Sequence, residues 1–160
     1  MKDFMHYKPR WTITKYANDA DFKAGKFFEQ VSFDGNLLLN EGIGELLLLL
    51  SGGVATAFSN ANAYLGVGDS NTAEDATQTG LQAATNKLYK AMESGYPIIV
   101  GQTITFRSIF GTAEANFSWQ EFTAANGNSD VSVNLNRKIS DQGIKSAGQT
   151  FTLDLSITFS

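Results

Sequence analysis

The clearest pattern in the chain is its last segment, QTFTLDLSITFS. There Phe151, Leu153, Leu155, Ile157 and Phe159 alternate with Thr150, Thr152, Asp154, Ser156, Thr158 and Ser160. A period of two sends successive side chains to opposite faces of a pleated strand, so this segment predicts a half-buried strand with one apolar and one hydroxyl-rich face. The same parity links Ile98, Val100, Ile104, Phe106 and Phe110 across IIVGQTITFRSIF. Phe117 and Trp119 continue the style in ANFSWQEF, Asn126-Gly127 marks a turn, and Val131, Val133 and Leu135 alternate again. Nearer the front, FFEQVSF (27–33) places Phe27, Val31 and Phe33 at odd positions and predicts a short strand before the Asp34-Gly35 turn. AYLGVGDS reads as a strand closing at Gly68-Asp69. Residues 80–93 fit two readings: Leu81, Ala84, Leu88 and Met92 have helical spacing, while LYKAM suits a strand.

One segment predicts a helix. Over 41–50, Ile43, Leu46, Leu47 and Leu50 fall at i, i+3, i+4 and i+7, and Leu48 and Leu49 widen that stripe, so burial on more than one side is expected. Asn40 is placed as the N-cap, Glu41 suits the first turn, and Ser51-Gly52-Gly53 supplies the stop. Residues 1–26 show isolated aromatics (Phe4, Tyr7, Trp11, Tyr16, Phe22) in a polar, basic setting without a sustained period. They predict an extended N-terminal arm that lies on a neighbour or folds back on its own domain, with Tyr7, Arg10, Trp11 and Tyr16 as candidate interface residues. The fold class expected is mainly β. It comprises one antiparallel β-sandwich or barrel-like domain over 27–160, one buried Leu-rich helix and the arm 1–26. Phe106, Phe117, Trp119, Phe151 and Phe159 are assigned to the core, with Leu46, Leu47 and Leu50 packed beside them.

Composition narrows this picture. With 160 residues the chain suits one core. Its 42% hydrophobic and 18% charged residues argue against disorder, and 12 Phe favour sheets. The absence of cysteine excludes thiolate metal sites and cysteine nucleophiles. A net charge of −4 with scattered Lys and Arg argues against nucleic acid as a partner. The apolar run Ile43–Leu50, interrupted by Gly44 and Glu45, is far short of the ~20 residues that span a bilayer. MKDFMHYKPRW lacks the apolar stretch of a signal peptide, and a soluble product without a membrane partner is expected.

Each candidate for chemistry has a plainer account. His6, the single histidine, lies in the arm. GVGDS (66–70) has glycines that could bring backbone N–H groups to an anion, yet no G-x-G-x-x-G or G-K-[ST] frames it. Asp69, Asn71, Glu74 and Asp75 could gather round calcium, though not at EF-hand spacing. Glu114 and Glu121 could pair as carboxylates, and Trp11 and Trp119 could line a sugar platform. No catalytic residue, metal or cofactor is assigned, and an enzyme is not expected.

Three segments together carry a resemblance: NLLLNEGIGELLLLLSGG (36–53), YLGVGDSNTAEDATQTGL (64–81), and the run from FSWQEF (117–122) through LNRK (135–138) to GQTFTLDLSITFS. In this order they resemble small virion structural proteins of tailed bacteriophages. The resemblance covers roughly residues 30–160. It implies a virion protein, made in the host cytoplasm and present in many copies. Such a protein would be a capsid decoration (cement) protein or a tail or tail-fibre component, forming a homo-oligomer and binding major capsid or tail subunits. The competing expectation is a carbohydrate- or receptor-binding β-sandwich.

Overall fold

The alternating C-terminal segment becomes the strand around which one sheet is built. The computed structural model describes residues 5–160. Among them the chain runs β1 (Tyr7–Tyr16), α1 (Asp19–Lys23), β2 (Glu29–Asp34), β3 (Leu37–Leu38), α2 (Asn40–Ser51), β4 (Tyr64–Gly68), β5 (Lys87–Ala91), β6 (Ile98–Val100), β7 (Thr103–Phe110), β8 (Glu121–Ala125), β9 (Asn136–Ile139) and β10 (Thr150–Phe159). Two five-stranded antiparallel sheets result, ordered β2-β1-β10-β7-β6 and β3-β9-β8-β4-β5, and they do not close into a barrel. The fold is therefore mainly β, with a single core shared by both sheets.

β10 lies between β1 and β7, pairing Tyr7↔Phe159 through Tyr16↔Thr150 on one side and Phe151↔Phe110 through Thr158↔Thr103 on the other. Its apolar face enters the core: Phe151, Leu153, Leu155 and Ile157 are buried. The opposite face is a polar ladder. Thr103 meets Thr158 at 2.7 Å, Thr105 meets Ser156 at 2.9 Å, and Arg107 donates to both oxygens of Asp154 at 2.7 Å. Cross-strand pairs of this kind fix the register, because a one-residue slip would turn every apolar side chain to solvent.

The second sheet contributes Leu65 and Val67 from β4 and Phe122 and Ala124 from β8 to the same core. Trp11 of β1 lies 5.7 Å from Phe122 of β8, joining the two layers. Trp119 packs edge-on against Phe110 at 4.9 Å and Phe151 at 5.3 Å, and its indole N–H donates to the Ala115 carbonyl at 3.0 Å. Burying such rings together adds directional contact to the area removed from water.

Several sequence expectations are corrected. Residues 7–16 are not an arm: β1 is an interior strand flanked by β2 and β10. Tyr7, Pro9, Trp11 and Ile13 face inward while Lys8, Arg10 and Thr12 face outward, which is the alternation a strand needs. Pro9 is tolerated because its carbonyl accepts from Gly35 N–H just past the end of β2. The N–H that proline lacks would point the same way, beyond the last paired residue. Residues 98–110 are two strands rather than one, turning at Gly101 and Gln102. Ile98 and Val100 consequently sit exposed on an edge strand instead of in the core. Residues 126–135 form a loop with Val131 at its exposed tip, and the strand begins only at Asn136. Phe117 and Phe159 are only partly buried beside the core. Within the ambiguous 80–93 segment, Lys87–Ala91 form the strand β5 and the residues before it form a loop rather than a helix.

Candidate assembly surface

The Leu-rich helix forms where the pattern places it, but it is turned over. The residues it buries are Gly42 and Glu45, while Ile43 and Leu46–Leu50 face outward. This corrects the expectation of a buried helix with Leu46, Leu47 and Leu50 in the core.

The reason lies in how α2 is attached. Its first turn is held by main-chain bonds, Leu39 N–H to the Leu135 carbonyl at 3.1 Å and Asn40 N–H to the Ala76 carbonyl at 2.8 Å. Leu39, with no side-chain cap, occupies the N-cap position that the sequence assigns to Asn40. Glu41 accepts from Asn134 N–H at 2.7 Å. Burial raises its carboxyl above the ordinary value, against the lowering effect of that bond. Glu45 reaches inward and accepts from Thr56 N–H at 2.7 Å and the Asn126 side-chain amide at 2.9 Å. Gly42 lies directly against the backbone of Leu135: a Cβ there would stand 2.4 Å from its carbonyl oxygen. A small and polar face is thus fixed onto loops by satisfied hydrogen bonds, and the leucines are left outside. Gly52, at φ +72, ends the helix in the left-handed conformation that glycine adopts without strain.

The exposed face is large in energetic terms. Leu47 is 59% exposed, Leu50 85% and the following Val54 100%. Taken together, Ile43 and Leu46–Leu50 expose the equivalent of about three whole side chains. At ~1.5–3 kcal/mol per fully buried Leu or Ile, covering them is worth ~5–9 kcal/mol, and about twice that where both partners supply such a face. Association costs ~4–15 kcal/mol in lost freedom, so a doubled face reaches the range in which stable contacts form.

The apolar surface does not stop at the helix. A groove of about 230 Å³ runs between Leu46 and Leu49 on one side and Tyr7, Ile104, Ile157 and Phe159 on the other. A second, more open depression of about 460 Å³ continues from Ile104 and Phe159 to Met5 and Ile99. Ile99 and Val100 belong to β6, whose outer edge is unpaired among the described residues, and they are 73% and 72% exposed. The opposite edge of that sheet, β2, carries Glu29 and Asp34, charges that discourage another strand from adding there. Monomers seldom expose a contiguous apolar tract of this extent without a partner for it.

The residues singled out from sequence scatter. Tyr7 is half-buried at the rim of the groove, its hydroxyl donating to Asn36 at 3.0 Å. Arg10 is exposed and paired with Asp34 at 3.0 Å. Trp11 is fully buried and so cannot be an interface residue of the folded chain. Tyr16 stacks edge-on with Phe22 and Phe27 at the far end of β1. Trp119 is also fully buried, so neither tryptophan offers a sugar platform. His6 lies exposed at the chain crossing with Ser160.

The glycines of GVGDS have a packing role. A Cβ on Gly68 would stand 2.4 Å from Oε1 of Glu121, and one on Gly66 would meet Thr123 at 2.7 Å and the Tyr89 ring at 3.0 Å. Glu121 is wholly enclosed and accepts from Gln82 N–H at 2.9 Å, Ala83 N–H at 2.7 Å and Arg137 Nε at 2.9 Å. The Arg137 Nη2 also sits 2.7 Å from this carboxylate, an ion contact off the line of a directed hydrogen bond. Arg137 Nη1 then donates to the Thr72 carbonyl at 2.8 Å and to Gln78 at 2.9 Å. Glu74 accepts from Ile139 N–H, and Asp75 closes a local turn on Thr77. The 69–83 loop is therefore clasped onto β8 and β9 by Glu121 and Arg137, with Glu74 adding a contact to β9. No group of three or more His, Cys, Asp or Glu side chains arranged to hold a metal occurs among the described residues. Glu114 is engaged separately, with Lys90 at 2.5 Å and Gly111 N–H at 2.8 Å, and is not paired with Glu121. Lys145, likewise enclosed, donates to the carbonyls of Gly111 and Glu114 and to Asn116 at 2.8–2.9 Å.

No protein-family model, curated protein or solved structure matches this chain.

Proposed function

We propose that the chain is a structural, non-catalytic virion subunit of a tailed phage. In this reading it is a capsid decoration protein that stabilises the head by packing against subunits, with a tail or tail-fibre position as the alternative. The observation that carries the reading is the inverted helix. α2 directs Gly42 and Glu45 inward and Ile43 and Leu46–Leu50 outward, so its apolar face is finished only when another protein covers it. Interfaces need shape-complementary apolar surface held by a rigid scaffold, and here the scaffold is the two-sheet core. The segment order NLLLNEGIGELLLLLSGG, YLGVGDS, LNRK and the alternating final strand supports the virion setting through resemblance.

The test is cosedimentation of purified chain with undecorated heads and, separately, with tails of the phage that encodes it. The wild type is expected to pellet with heads, and Leu47→Glu/Leu50→Glu to remain in the supernatant. Binding to tails alone moves the protein to the alternative position. Binding to neither particle removes the virion reading.

A further inference from the structure

We infer that the occupant of the leucine face is the α2 helix of a second copy of this chain, the two helices crossing at Gly44 about a symmetry axis. This rests on the reading of that face as an assembly surface and adds what meets it.

Gly44 is the first observation. It stands near the N-terminal end of the outward face, next to Ile43 and one turn before the Leu47–Leu48 pair. A Cβ at this position would meet nothing within 4 Å. Gly42, two residues earlier, is required by the Leu135 carbonyl, but nothing among the described residues requires Gly44. Glycine in an exposed helix interior weakens the helix, and its usual return is the close approach of another backbone. Its missing side chain leaves a hollow between Ile43, Leu47 and Leu48 that suits a leucine knob from a facing helix.

Charge is the second. The chain carries −4, so two copies repel at long range, and an isologous contact sets a patch against itself. On α2 Glu45 is turned inward and Glu41 is held by Asn134 N–H, which leaves the face from Ile43 to Leu50 without an outward charge. A self-contact there meets no like-charge opposition, and a charged partner would find nothing to pair with. The third observation is extent: a second copy brings an apolar face of the same size, so a self-contact doubles the apolar surface removed from water.

Sedimentation equilibrium of the full chain tests the pairing. The wild type is expected to self-associate. Gly44→Gln, which enters open space and favours helix, is expected to weaken association at least tenfold while the dilute, dissociated protein melts no lower than wild type. Because the chain has no cysteine, Gly44→Cys supplies a single thiol. It should form an intermolecular disulfide under mild oxidation much faster than Val131→Cys, a control at an exposed loop tip outside the leucine face. A wild type that stays monomeric at every accessible concentration overturns the inference. So does Gly44→Gln associating as tightly as wild type, or equal cross-linking at 44 and 131. A monomeric wild type that still binds heads, and loses that binding in Leu47→Glu, removes self-pairing and leaves the assembly reading standing. Self-association and head binding that both ignore Leu47→Glu remove the two together.

Discussion

Arg137→Met should be among the most damaging single substitutions in the protein, although it lies on a four-residue strand away from the sheet centre. Arg137 and Glu121 are both fully enclosed. Removing the guanidinium leaves the carboxylate with only the Gln82 and Ala83 N–H groups to hold its charge. Breaking a buried pair from one side costs ~3–5 kcal/mol, because the remaining ion can neither pair nor reach water. The freed Thr72 carbonyl and Gln78 side chain lie on a solvated loop and can be rehydrated, so they add little. A total near ~4 kcal/mol is a large part of the ~5–15 kcal/mol that stabilises a domain. Arg137→Lys keeps the charge but loses the fork that reaches Glu121 and Thr72 together, and should cost about half as much. In Arg137→Met/Glu121→Met both charges are gone and only two main-chain donors lose partners, so the double variant should be more stable than Arg137→Met by ~1–2 kcal/mol. Urea unfolding with a double-mutant cycle reads these values. Losses under ~1 kcal/mol for Arg137→Met, or strictly additive losses in the double variant, would refute the clasp.

Further outcomes concern the helix seat and pH. Gly42→Ala should destabilise by ~1–2 kcal/mol despite alanine's higher helix propensity, since its Cβ would stand 2.4 Å from the Leu135 carbonyl oxygen and the helix must shift. Thermal unfolding that shows a gain instead would place α2 differently. Burial brings the Lys145 ammonium down to about 8 from the ordinary 10.5, against the opposing charge of Glu114. Between these values the unfolded chain binds a proton the folded chain has released, so stability should rise as pH rises from about 8. Burial, with the Asp130 hydrogen bond, raises the Tyr89 phenol well above its ordinary 10.0. Above pH 10 the unfolded chain therefore loses a proton that the folded one keeps, and stability should fall. Denaturation midpoints at pH 7.5, 9.5 and 11 check both signs, and a monotonic fall across the series would contradict the Lys145 assignment.

The parts of the fold that a sequence reveals are those where one periodicity meets one core. β10 is legible because its alternation has a single buried face to satisfy. β1 carries the same signal in Tyr7, Pro9, Trp11 and Ile13, but the intervening Lys8 and Arg10 and the proline disguise an interior strand as an arm. The position of α2 follows from its leucine spacing, whereas its orientation does not. Leucine normally marks the inward face, and only Leu135, Thr56 and Asn126 explain why Gly42 and Glu45 hold that place instead. One clue was present, because five consecutive leucines at about 100° per residue cannot all face one core. Gly66 and Gly68 look like a ligand loop until Tyr89 and Glu121 are brought over them, contacts between segments distant in sequence.

In the working assembly the outward leucines of α2 should be covered. Hydroxyl-radical footprinting of the free chain and of the same chain on the assembled particle measures this side chain by side chain. Leu46–Leu50 and Val54 should be reactive in the free, dilute chain and become strongly protected on the particle, while Val131 reacts equally in both. Equal reactivity of Leu47 and Leu50 in the two states would contradict the account.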